Sequence, residues 1–94
     1  MDAIKVGEKG SGLTTGEEFD IFKYAEEAIH HHKGNHLKIV QHIVNHMNTH
    51  HHGKWTVFVV ESTHTPWEVE FYPHENKHVE FTLHGHEFFV FRSQ

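Results

Sequence analysis

The hydrophobic spacing of this chain changes once, around Gly53, and that change does most to limit the folds open to it. Before Gly53 the apolar residues recur every three or four positions; after it they alternate or run on continuously. A helix buries one stripe and a half-buried strand buries every second side chain, so the first half predicts helices and the second half strands. The order is two helices followed by an antiparallel meander, an α+β arrangement.

In the first half, Thr15 with Glu18 three positions later has the form of a capping box opening a helix that runs to about His32. Phe19, Phe22, Ala25, Ala28 and Ile29 are its expected buried face. Gly34 stops it and Asn35 caps the next helix, His36 to His50, whose apolar face is read as Leu37, Val40, Ile43, Val44 and Met47. His42, His46 and His50 form an i, i+4, i+8 ladder expected to lie off that face, in solvent. Ahead of these helices, residues 1–16 hold four glycines and read as a flexible arm or linker, with a short strand possible at Ala3–Val6. The domain proper is placed at 17–94.

In the second half, Trp55–Val60 is β-branched and aromatic throughout and reads as a central strand. Trp67, Val69 and Phe71 then alternate with Glu68, Glu70 and Tyr72, and Pro73 removes a backbone donor at the end of that run. Such a strand belongs at a sheet edge, and an edge needs a partner. Val79, Phe81 and Leu83 alternate next, His84-Gly85 makes a tight hairpin, and Phe88–Phe91 forms the last strand. The expected sheet therefore has four strands, plus the short N-terminal one.

Composition narrows the function. Without cysteine there is no disulfide, thiolate metal site or cysteine nucleophile. A net charge of −5 argues against nonspecific binding to nucleic acid, which rests on lysine and arginine. No apolar run approaches the length of a membrane span, and the first five residues do not open a signal peptide, so a cytoplasmic protein without membrane insertion is expected. A chain of 94 residues buries roughly 60–65% of its unfolded surface and gains from association.

The run His74-Glu75-Asn76-Lys77-His78 resembles the H-E-T-K-H signature of the dynein light chain family, with asparagine at the threonine position. Gly85 falls at that family's hairpin glycine, Phe91-Arg92-Ser93 resembles its terminal F-K-S, and Ala25, Ala28, Ile39, His42, Ile43 and Trp55 fit its helices and first core strand. The resemblance covers residues 17–94. It implies a noncatalytic homodimer in which one strand, here 67–72, crosses to the partner's sheet. Linear peptide segments, such as one from the dynein intermediate chain, add beside it by β-augmentation. On that basis Trp67, Glu68, Val69, Glu70, Phe71, Tyr72 and His74 form the expected peptide-binding and dimer strand. His36 and Leu37 form the end of the groove helix, and the setting is cytoskeletal.

The chain departs from the family pattern in several places. It is longer between Trp55 and His74, Val69-Glu70-Phe71 replaces Gly-Ser-Tyr, and Pro73 replaces threonine. His36-Leu37 replaces the Glu-Lys pair that receives the peptide's glutamine, Thr56 stands where the family has histidine, and the last strand is one residue shorter. These departures and the histidine content resemble the C-terminal light-chain-like domain of flatworm tegumental calcium-binding proteins, which implies a tegumental setting. No D-x-D-x-D-G loop is present, so calcium binding is not expected here.

Fourteen histidines remain to be placed. His42, His46 and His50 have the spacing to chelate Zn²⁺, Cu²⁺ or Ni²⁺, against the reading of solvated surface side chains. Full protonation would reverse the sign of the net charge, so a pH-responsive or metal-binding surface is the alternative function. His74 and His78 are either turn residues or contacts to a peptide or partner copy. Phe88, Phe89 and Phe91 are read as core or dimer interface, and Glu68 and Glu70 as favouring basic peptide residues. No nucleophile motif is present; His74-Glu75-Asn76-Lys77-His78 has the H-E-x-x-H form but is read in a turn leaving a strand, not on a helix, and no enzyme activity is expected.

Overall fold

Two helices cover one face of a four-stranded antiparallel sheet in the computed structural model, which describes residues 4–61 and 70–94. In chain order the elements are β1 (Lys5–Lys9), α1 (Thr15–His31), α2 (His36–His50), β2 (Trp55–Glu61), a 3₁₀ turn at His74–Asn76, β3 (His78–Leu83) and β4 (His86–Arg92). The strands lie in the order β1-β3-β4-β2, so β1 and β2 are the edges.

The helices begin where the sequence provides caps. Thr14, one residue earlier than expected, is the N-cap of α1: its hydroxyl accepts from the Glu17 N–H at 3.1 Å, and its own N–H donates to Glu17 Oε1 at 2.9 Å. Thr14-Glu17 and Thr15-Glu18 both satisfy the capping pattern. The first pair prevails because Glu17 is also held by Lys77, 2.8 Å away and buried. Asn35 caps α2 through Lys38 N–H, as expected.

The buried stripe of α1 is Ile21, Tyr24, Ala25 and Ala28, with Phe22 and Ile29 packed at its margin. Phe19 corrects the expectation: it is 67% exposed, because it lies about 160° around the helix from Ile21. On α2 the buried residues are Ile39, Ile43 and Met47, and Leu37 is likewise 67% exposed.

Each strand faces the helices with alternate residues. Val57, Val90 and Val79 form one inward row across β2, β4 and β3, and Val59, Phe88 and Phe81 form the next. The Phe81 and Phe88 rings stack at 4.9 Å, and Phe22 of α1 meets Phe81 edge-on at the same distance. The β3–β4 turn has positive φ at both His84 and Gly85, the twist that a two-residue hairpin requires.

The N-terminal stretch read as an arm carries β1, paired to β3 through Lys5↔Thr82, Val6↔Phe81 and Lys9↔Val79. Beyond β1, Gly10 N–H donates to the His78 carbonyl and Gly12 N–H to the Asn76 carbonyl. A Cβ at Gly10 would sit 2.1 Å from the Asn76 oxygen, and one at Gly12 would sit 1.8 Å from the Glu75 oxygen. Glycine is therefore demanded here by close backbone contact, not by flexibility.

The edge strand expected at 67–72 falls only partly within the described residues. Trp67, Glu68 and Val69 lie outside the described residues, and Glu70, Phe71 and Tyr72 belong to no strand. The sheet's fourth place is taken by β1. Among the described residues no strand pairs with 70–72, and Phe71 lies against the sheet's outer face, its ring 4.3 Å from that of Phe89.

Candidate interaction surface

The outward rows of the sheet continue across the strands. Thr56, Phe91 and His78 form one, Phe58, Phe89 and Glu80 the second, and Val60, Glu87 and Thr82 the third. Toward β2 this face is aromatic. Phe58 and Phe91 stack at 6.3 Å, Phe89 and Phe91 meet edge-on at 5.7 Å, and Phe71 touches both Phe89 and Phe91. Phe89 is buried beneath Phe71, while Phe58 is 45% and Val60 40% exposed. A β-branched and aromatic strand face pairs well with a second apolar surface and poorly with water.

The two sheet edges differ in their defences. β1 presents Lys5, Glu8 and Lys9, all exposed, and charge of that kind discourages further pairing. β2 runs Trp55-Thr56-Val57-Phe58-Val59-Val60 before reaching a charge at Glu61, and no described strand lies beyond it. At its far end Glu61 pairs with His86, whose ring stands 5.4 Å from that of His36 at the start of α2. The exposed Leu37 follows. The expected groove-end residues His36 and Leu37 thus lie near the end of the open β2 edge.

Of the crossing-strand residues, the described part divides sharply. Phe71 is packed on the sheet; Glu70 and Tyr72 are exposed, with the Tyr72 hydroxyl donating to Glu70 Oε1 at 2.9 Å. His74 begins the 3₁₀ turn, exposed, 3.3 Å from the Glu75 carboxylate. Glu75 and Asn76 both adopt positive φ, an uncommon state for two successive residues with side chains. Asn76 is tied to Ser11 through its side-chain amide, and Glu75 is paired with Arg92. Lys77 closes the turn, buried, donating to the Gly12 carbonyl and to Glu17. Burial alone would raise the Glu17 carboxyl; hydrogen bonds from Lys77 and Thr14 and the Lys77 charge together hold it below its ordinary value. His78 lies against Phe71 and Phe89 with its Nδ1 buried and unpaired. The His-Glu-Asn-Lys-His run is thus the structural joint between the N-terminal strand, α1 and the sheet.

The histidine ladder is not a solvated row. His42 and His46 are half-buried against α1, and only His50 is exposed. The His42 and His46 rings stack at 4.3 Å, and Tyr24 lies 4.9 Å from His46 and 6.2 Å from His50. The reason lies in the position of the helix face. Once Ile39, Ile43 and Met47 define it, His46 sits only about 60° away, in the seam between the helices. Including Leu37 and omitting Ile39 turned the expected face away from that seam. His42 Nε2 lies 3.4 Å from Glu27 Oε1, and His46 Nδ1 donates to the His42 carbonyl at 2.8 Å. Burial lowers the His42 pKa below its ordinary value; the Glu27 hydrogen bond and charge oppose this, and His46 and His32 add to it. Among the described residues, no three His, Asp or Glu side chains are already gathered as a ligand set.

Sequence reasoning missed a set of ties from α1. Beyond Glu17–Lys77, Glu18 meets Lys9 at 3.1 Å, Asp20 meets His51 at 2.7 Å and Glu26 meets His84 at 3.0 Å. The acidic residues were visible on one helix, but their partners lie 9 to 60 positions away in sequence and no local pattern marks them. Among the described residues no helix is long and apolar enough to cross a membrane.

No protein-family profile matches the sequence, and no curated protein matches it. The fold does have solved counterparts. The dynein light chain-like domain of the Fasciola hepatica calcium binding protein FhCaBP2, in a mercury derivative, matches with a TM-score of 0.72 at 10% identity, over 100% of this chain and 95% of that one. Its native form matches with the same score and identity over 98% and 92%. The dynein light chain-like domain of CsTAL3 matches with a TM-score of 0.75 at 13% identity, over 96% and 92%. The chain has the dynein light chain-like fold.

Proposed function

We propose that this chain is a noncatalytic dimerisation and protein-binding domain. Two copies join through their outer sheet faces and open β2 edges, and linear segments of partner proteins add as strands beside residues 67–72. The observation that carries this reading is the pairing of an undefended edge with an aromatic face. Phe58, Val60 and Phe91 form a continuous apolar surface beside the β2 edge, which is uncharged from Trp55 to Val60. A second copy of the same surface is its natural cover, since a two-fold contact is self-complementary.

The fold supports the rest of the reading. In this arrangement His36 and Leu37 form the end of the groove into which a segment would run, and Glu70 favours basic residues in it. The partners are cytoplasmic and cytoskeletal, with the dynein intermediate chain the first to try, in a tegumental setting.

A displayed library of linear segments selected on the protein tests the binding half. The selected segments should compete for one site per chain, and Leu37→Glu should weaken them about tenfold or more while leaving the thermal midpoint unchanged. Segments that bind Leu37→Glu as well as the parent, or a selection that recovers none above background, would contradict the assignment.

A further inference from the structure

The outer aromatic face is already partly occupied, and by the chain's own Phe71. Its ring meets Phe89 edge-on at 4.3 Å, lies 5.2 Å from Phe91 and meets His78 edge-on at 5.3 Å. His78 in turn stacks on Phe89 at 6.4 Å. Phe89, Phe91 and His78 thus form a socket for one aromatic ring. Glu70 and Tyr72, on either side of Phe71, are exposed, with the Tyr72 hydroxyl donating to Glu70. Of residues 70–72, Phe71 alone packs on the sheet.

The seat is held by small forces and opposed by one cost. Ring contacts of this kind are individually weak, so a few of them hold a side chain without making its release slow or rare. Against them stands His78 Nδ1, in a ring that touches Phe71. It is buried without a hydrogen-bond partner among the described residues, and a buried polar atom left unpaired costs free energy. The base of the segment, by contrast, is fixed. Asn76 is tied to Ser11, Glu75 to Arg92, and Lys77 to Glu17 and the Gly12 carbonyl. Movement of 70–72 therefore pivots at Pro73, which stands extended (φ −69°, ψ 134°) just ahead of that joint.

We propose that Phe71 is a removable plug: seated, it closes the aromatic socket of its own chain, and a second copy docks its outer face there only after the plug has left. This rests on the dimer reading above and adds its regulation. The second copy is the displacing partner because Phe58 and Val60, 45% and 40% exposed, continue the apolar face beyond the socket. A partner seated on them reaches Phe89 and Phe91 only through the place where Phe71 lies. The apparent affinity falls in proportion to the fraction of chains whose socket is open, so a seated plug weakens association without touching the partner. Release also frees 70–72 to pair as a strand, which the addition of partner segments requires, and lets water reach His78 Nδ1.

The test is sedimentation of the full chain, parent against Phe71→Ser, with an apolar fluorescent dye as reporter of the open face. Phe71→Ser should tighten self-association about five- to tenfold, and should brighten the dye several-fold at dilutions where single chains prevail. Phe71→Leu, which keeps an apolar side chain in the socket, should fall between Phe71→Ser and the parent. Tyr72→Ser, beside the plug but exposed, should match the parent. Weaker association in Phe71→Ser would mean that the ring acts on the other copy, and would overturn the plug while keeping the dimer. Unchanged association in Phe71→Ser, where Phe58→Asp still abolishes it, would overturn the plug in the same way. If the parent and Phe71→Ser both sediment as single chains, the dimer reading fails and the dye decides the plug. A brighter signal then supports Phe71 as the cover of the socket, and an unchanged one overturns it.

Discussion

The inner and outer faces of the sheet carry much the same aromatic residues, but the chain's own helices cover only the inner one. Inside, Phe81 and Phe88 stack, Phe22 closes on them, and Ile21, Ile39, Ile43 and Met47 complete a core with almost no exposure. Outside, Phe58, Phe89 and Phe91 form a second cluster, with Phe71 packed on Phe89 and Phe91, His78 stacked on Phe89, and Phe58 left 45% exposed. Burial of the first surface builds the domain. The second costs hydration free energy for as long as it stays open, which is the physical reason to expect a partner on it.

The comparison is broken most strongly from the inside. Phe81→Ala removes a fully buried ring that touches two others and should cost about 3–5 kcal/mol, read as a fall in the denaturation midpoint. The joint below the sheet comes next. Lys77→Met leaves Glu17 and the Gly12 carbonyl without their buried donor, and should cost about 2 kcal/mol by the same measurement.

Substitution on the outer face should act in the opposite sense. Phe58→Asp should change the stability of the isolated chain by less than about 0.5 kcal/mol, yet abolish self-association in sedimentation. If it destabilises the chain as much as Phe81→Ala does, the two faces are equivalent and the distinction fails.

The smallest effect is electrostatic and should be graded with pH. His42 is held below its ordinary value of 6.5, so on acidification the unfolded chain takes up that proton first. Stability is therefore full above about pH 6.5 and declines as pH falls through the lower folded value. Glu17 is held below its ordinary 4.5 and gives a second loss of the same sign further down. His42→Gln should remove the first step from the stability-versus-pH curve, and Lys77→Met should reduce the second.

The two layers and the sheet's strand directions were legible in the sequence because helix and strand stripes are local patterns. Val79, Phe81 and Leu83 announced the inward face of β3, and His84-Gly85 its hairpin, without reference to any distant residue. Phe19 and Leu37 were misplaced for a related reason. Both are apolar residues near helix N-termini, and only the packing centre, set by Ile21 and by Ile39 and Ile43, shows that they point outward. That error carried His42 and His46 into solvent when they belong in the seam beside Tyr24.

The candidate site was less legible because it depends on contacts between elements distant in sequence. The alternation at 67–72 marked a segment that needs a partner, but it did not show that Phe71 would lie on Phe89 and Phe91. Nor could it show that Gly10 and Gly12 fit against the turn at Glu75-Asn76, since the fit depends on backbone approach across more than sixty residues.

The most direct test of the central claim is the solution mass of the unmodified chain by sedimentation equilibrium at micromolar concentration and neutral pH. The account predicts about twice the 11.1 kDa of one chain, falling to a single chain with Phe58→Asp. A parent protein that sediments at 11.1 kDa across that range would mean that the outer face and β2 edge are not covered by a second copy, and would contradict the dimer.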